Sequence, residues 1–232
     1  MAKKKKKQKA YNPAIDDGTS RPIRAAVAIG DPQDKYSEYP SSGLSPRRLA
    51  EIFREADEGN VLRQMELFEE MEEKDTHLFS QLQTRKLAVT GLDWEVQPFS
   101  EEERDVAVAE FIDDQLHSLE SLNDVLLDIL DAVGKGISLS EITWGVDSQG
   151  RNVVEDITWV HPKKIFWDSI DDAIKITTRE YPQGIPLPDN KFIVHKYKAK
   201  SGHPSRAGVL RIVSWMYLFK NYDLKDWVSF CE

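Results

Sequence analysis

Between Gly134 and Ile137 the spacing of apolar residues changes from about 3.6 to about 2, and that switch limits the folds open to the chain. Upstream, three groups recur at helical intervals: Leu49, Ile52 and Phe53; Phe68, Met71, Leu78 and Leu82; then Leu122, Val125, Leu126, Ile129, Leu130 and Val133. Downstream, 137–146 and 153–160 alternate as two strands joined by a turn at Asp147-Ser148-Gln149-Gly150. Shorter strands follow at 165–167, 174–178 and 192–197, while Pro182, Pro186 and Pro188 keep 181–190 irregular. Helices, then a mostly antiparallel sheet, then a closing helix define an α+β fold.

Local signals mark the element ends. Ser45 supplies an N-cap side chain and Pro46 a first helical residue whose missing N–H costs nothing, with Gly59 closing that helix. Asn60 can cap a second, longer helix to about Lys86, with Glu66, Glu69, Glu70, Glu72 and Glu73 on its outer face. Leu92, Trp94 and Val96 alternate with polar residues and predict an extended segment over 87–98. Ser100 and Glu103 form a capping-box pattern that opens a helix to about His117. Ser121 and Asp124 open another, closed by Gly134.

Charge is unevenly placed along the 232 residues. Residues 101–132 carry eleven acidic side chains against the one base Arg104, whereas 173–232 carry ten bases against five acids. The acidic block opposes wrapping by a phosphate backbone. The basic third reads first as a solvated face set against the acidic helices. A nucleic-acid-binding module using it and the Lys3–Lys7 run is the alternative. Residues 1–44 hold four of the eleven prolines and few aliphatic residues, which predicts a disordered, basic arm.

Of the 22 residues in 209–230, fourteen are apolar, and no glycine, asparagine or proline follows before Glu232. That reads as a long apolar helix, incomplete at the chain end, and so as a truncated chain.

Motifs for catalysis are missing. There is no G-x-G-x-x-G, phosphate-binding lysine loop, H-E-x-x-H or G-x-S-x-G. The five histidines lack ligand spacing, and His195 and His203 flank a short basic loop as surface residues. Cys231 stands alone, so neither a disulfide framework within the chain nor a cysteine zinc site can form. The expectation is a non-enzyme with no catalytic residue, cofactor or metal, and with no residue assigned to nucleic acid. No membrane partner is expected, because no apolar run is long enough to span one.

Three segments resemble Mu-like bacteriophage portal proteins: Ser45–Pro98 (SPRRLAEIFREADEGN and onward), Leu126–Trp144 (LLDILDAVGKGISLSEITW) and Asn190–Phe230. The most specific piece is YLFKNY, Tyr217–Tyr222, followed by Asp226-Trp227. The resemblance covers about 45–232. It implies a structural subunit of a ring, dodecameric in the family, at one capsid vertex. Such a ring nucleates capsid assembly with scaffold proteins, docks the terminase, passes double-stranded DNA and later holds the head–tail connector. It implies a place in the virion and, during assembly, in the host cytoplasm. By analogy 45–205 matches the portal wing and 206–232 the start of a stem-like helix, with the remaining stem, clip and crown of the family following the point where this chain ends. The signature residues Trp215, Tyr217, Phe219, Lys220, Asn221, Tyr222 and Trp227 then have a structural role. The aromatics pack within the subunit or against its neighbour in preference to stacking on bases. Lys220 pairs with an acid across a subunit contact or snorkels.

Overall fold

Ser45 begins the first helix as expected: its side chain accepts a hydrogen bond from Arg48 N–H at 3.2 Å, and Pro46 takes the first helical position of α1 (Pro46–Asp57). A computed structural model of the chain describes residues 23–29, 41, 43–168, 173–179 and 181–231. After α1 come α2 (Leu62–Lys74), α3 (Thr76–Thr90), α4 (Glu103–Ser118), α5 (Leu122–Ile129) and the short α6 (Ala132–Lys135). Strands β1 (Ile137–Val146) and β2 (Asn152–Val160) form the expected hairpin. Next are β3 (Ile165–Asp168), β4 (Ala173–Ile176), β5 (Ile185–Pro186) and β6 (Phe192–Lys196), and α7 (Val209–Cys231) closes the described chain. The architecture is α+β.

All described strand pairs are antiparallel. One sheet has the order β2-β1-β6 and the other β3-β4-β5. One core joins α1, α2 and the root of α7 to both sheets through buried Leu49, Ile52, Phe68, Met71, Leu139, Ile176 and Leu210.

Four expectations change. The long second helix is two, because the Asp75 carboxylate caps α3 by accepting from His77 N–H and Leu78 N–H, both at 3.2 Å. The apolar stripe Phe68, Met71, Leu78 and Leu82 is nevertheless buried across the break. Residues 87–98 form no strand: α3 runs to Thr90, and Leu92 and Trp94 are exposed. The capping box does not close either. Ser100 Oγ donates to Asp105 at 2.7 Å, and α4 begins at Glu103 without a side-chain cap. Gly134 does not end the fifth helix. That role passes to Gly136, whose φ of 90° stops α6.

The closing helix also needs correcting. Val209–Cys231 is helical, but it is not a long apolar helix: Arg211, Lys220, Asp223, Lys225 and Asp226 interrupt it. Among the described residues no helix is long and apolar enough to cross a membrane. A composition count scores Trp and Tyr as apolar wherever they fall, and so hides charges spread around the circumference. Only Leu210, Ser214, Tyr217 and Leu218 are buried.

Residues 1–22, 30–40 and 42 of the expected arm lie outside the described residues. The described piece at 23–29 packs on the domain. Val27, Ala28 and Ile29 donate their backbone N–H groups to the Glu141 carboxylate at 2.6, 2.8 and 3.1 Å. Lys164 Nζ donates to the Ala28 carbonyl at 2.7 Å, and Ala28 is 1% exposed.

Candidate functional site

The direction of α7 is set at its root by backbone contact. Gly208 lies so close to the α6–β1 corner that a methyl there would stand 2.3 Å from the Gly134 carbonyl and 2.6 Å from the Gly136 nitrogen. Beyond it, Leu210, Tyr217 and Leu218 face the core. Trp215 is half-buried and meets the Phe53 ring edge-on at 6.4 Å. Arg211 donates to Gln64 at 2.8 Å and pairs with Asp57 at 2.9 Å.

From Phe219 onward every described residue of α7 is exposed, including Trp227 at 66% and Phe230 at 88%. Two polar ties hold this half to the domain. Lys220 Nζ pairs with Asp75 at 2.9 Å, so the acidic partner sought for it lies in its own chain. Burial would raise the Asp75 carboxyl, but Lys220 and the N–H groups of Leu78 and His77 hold it below its ordinary range. Tyr222 donates its hydroxyl to the Leu44 carbonyl at 3.0 Å. The seven signature residues thus divide. Tyr217 sits in the core and Trp215 on its margin, while Phe219, Lys220, Asn221, Tyr222 and Trp227 lie on the outer half of the helix.

A second feature escaped the sequence reading. Glu69, Glu72, Lys86, Asp128, Asp131 and Lys135 line a cleft of about 560 Å³ between α2, α3, α5, α6 and β2, with Trp159 as one wall. Asp131 bridges Lys86 at 3.1 Å and Lys135 at 2.7 Å, and all three are buried. Glu72 stands 3.8 Å from Lys135. His161 accepts from Lys163 N–H through Nδ1, so Nε2 carries the proton that faces Glu69. Part of the acidic face of α2, expected to look outward, therefore faces the protein. Glu70 is also buried, accepting from Ser41 N–H at 2.7 Å.

Burial lifts the Glu72 carboxyl above its ordinary range, opposed by Lys135 and Lys86 and helped by Asp131 and Glu69. Burial would also raise Asp131, but Lys135 and Lys86 hold it low. A raised carboxyl contributes stability below its unfolded pKa and loses it as pH rises through the folded one. Glu72→Gln is therefore expected to leave stability unchanged or increase it near neutral pH. It should also remove part of any gain in melting temperature on acidification. Thermal melts of both proteins across about pH 5 to 8 test this, and a steeper acid dependence in the variant would contradict it.

Among the described residues, no group of three or more His, Cys, Asp or Glu is arranged to hold a metal ion. Half of the ten bases in the C-terminal third pair with acids of the chain: Lys175, Lys191, Arg206, Arg211 and Lys220 with Asp168, Glu141, Asp57, Asp57 and Asp75. The nucleic-acid alternative gains no support from this arrangement. His203 is half-buried and caps the turn at Pro204–Arg206, with its ring against Trp167 at 4.5 Å.

The root of α7 is thus fixed to the domain, while its outer half is exposed and carries Leu224, Trp227, Val228 and Phe230 among charged residues. Comparison with known proteins is specific. The family described as the portal protein of Mu bacteriophage matches residues 65–232. The chain is 35% identical over 205 residues to the Mu-like prophage FluMu protein gp29 of Haemophilus influenzae, covering 86% of this chain and 39% of that protein. It is 34% identical over 203 residues to the portal protein of Escherichia phage Mu, covering 85% of this chain and again 39% of the relative. The chain belongs to the portal protein family of Mu-like bacteriophages. It spans about two-fifths of the length of these relatives.

Proposed function

We propose that the chain works as a structural, non-enzymatic part of a portal subunit, in which residues 45–205 form a wing-like domain and 206–232 the start of a stem-like helix. Copies assemble into a ring, dodecameric as in the family, at the capsid vertex, after assembly in the host cytoplasm. Terminase, capsid and scaffold proteins and the head–tail connector are its partners, and double-stranded DNA passes through the ring. The single observation that carries this reading is the outer half of α7. Leu224, Trp227, Val228 and Phe230 are exposed on a helix whose root is locked to the core. Such a face is costly in water and is covered when a neighbouring copy packs on it.

Mass photometry and negative-stain microscopy of the 232-residue chain test it. Ordered multimers are expected, and Trp227→Glu with Phe230→Glu should reduce them to monomers without changing the melting temperature. A monodisperse parent monomer that binds no apolar dye overturns the reading.

A further inference from the structure

Two oppositely charged surfaces lie at opposite corners of the β2-β1-β6 sheet. The acidic one is α4. Glu103, Glu110 and Asp114 recur at seven and four residues, which places them on one stripe, and all three are exposed. No residue of α4 is buried. The helix is tied to the β2 edge: Gln115 accepts from Val154 N–H at 3.0 Å, and the Arg151 guanidinium lies 4.9 Å from the Phe111 ring centre. The basic surface is the loop that leaves β6. Lys198 and Lys200 are exposed on it, and there is no acidic residue from 190 to 222.

Strand register fixes how far apart these surfaces are. β2 starts opposite the end of β1, with Asn152 facing Val146, whereas β6 ends opposite the start of β1, with Lys196 facing Ile137. The tie of the acidic helix at Gln115–Val154, facing Trp144, and the exit of β6 at Lys196, facing Ile137, therefore lie on opposite edges of the sheet and about 23 Å apart along β1. At physiological salt the Debye length is about 8 Å, so neither surface neutralises the other within one copy. Opposite charges on opposite corners suit a head-to-tail contact, which uses two different patches and closes into a ring when the rotation permits.

We infer that the Glu103–Glu110–Asp114 stripe of one copy docks against the Lys198–Lys200 loop of a second copy. This rests on the portal reading and specifies which faces meet between neighbours in the wing. The charges set register and association rate, and the exposed half of α7 supplies apolar area.

The test is a charge exchange in the 232-residue chain. One variant carries Lys198→Glu and Lys200→Glu, and the other carries Glu103→Lys, Glu110→Lys and Asp114→Lys. All five positions are exposed, so melting temperatures should match the parent. In sedimentation velocity at low salt, each variant alone should self-associate roughly tenfold more weakly or worse, because like charges then face each other. An equimolar mixture should recover association, since every interface again pairs opposite signs. If both variants associate like the parent while Trp227→Glu with Phe230→Glu does not, this contact is wrong and the portal reading stands. If the mixture does no better than the variants alone, the contact is likewise wrong. If Lys198→Glu with Lys200→Glu leaves association intact but abolishes binding of double-stranded DNA, the loop faces phosphate and the inference falls. A parent chain that stays monomeric at every salt overturns both readings together.

Discussion

Glu141→Ala is expected to destabilise the domain by about 3–5 kcal/mol, the range for breaking a buried ion pair by removing one partner. Glu141 and Lys191 are both fully buried, with Lys191 Nζ 3.2 Å from the carboxylate. Removing the carboxylate leaves that ammonium with the Ile142 carbonyl at 2.8 Å. It also takes the acceptor from three consecutive backbone N–H groups, those of Val27, Ala28 and Ile29. Consecutive N–H groups aimed at one point form an anion-binding concavity, here filled by the chain's own side chain. Two readouts separate the parts. Urea unfolding gives the total loss, and amide hydrogen exchange shows whether 23–29 comes free. Glu141→Gln keeps one acceptor and should fall between parent and alanine. A stability loss with unchanged exchange at 27–29 would show that the strap is held by something else.

Gly136→Ala and Gly208→Ala are each expected to cost about 4 kcal/mol or more, or to yield no soluble protein. A methyl at Gly136 meets the Pro204 carbonyl at 2.3 Å and the Gly208 nitrogen at 2.9 Å, on a backbone whose φ of 90° already disfavours a side chain. At Gly208 the obstacles are likewise backbone atoms, which no rotamer change can move aside. Gly150 is the control. It has a φ of 78° in the hairpin turn but nothing within 4 Å, so Gly150→Ala should show backbone strain alone, about 1 kcal/mol. Chemical denaturation of the three variants decides it. Equal losses at all three positions would mean that the close approach contributes nothing beyond strain.

Periodicity made most of the framework legible. The hairpin of β1 and β2, the strands β3, β4 and β6, the Ser45–Pro46 start and the closing helix all follow from local spacing and capping chemistry, whereas β5 falls in the proline-rich stretch expected to be irregular. Failures came where a distant partner decided the outcome. Leu92, Trp94 and Val96 have strand spacing, yet no neighbouring strand pairs with them. The α2 glutamates look solvent-facing because five acids on a helix normally are. Here Lys135, Lys163 and His161, from segments about 60 to 100 positions away in sequence, turn part of that face inward. A signal for one hidden site was present: Glu141 stands between Ser140 and Ile142 in a strand otherwise short of charge, and a lone acid there asks for a partner. The resemblance at Tyr217–Trp227 identified the family, but it could not tell that Lys220 is satisfied by Asp75.

The glycine contact at the foot of α7 also governs geometry at a distance. Thirteen residues from Phe219 to Cys231 reach about 20 Å beyond the last buried turn. The helix is thus a lever whose pivot is backbone against backbone. A tilt of about 6° at Gly208 would carry the tip of this 23-residue helix, about 35 Å away, by roughly 3.5 Å. Side-chain packing at the pivot would leave such tilts soft. Two glycines in direct contact make the angle a property of the main chain, so each copy presents the same aim.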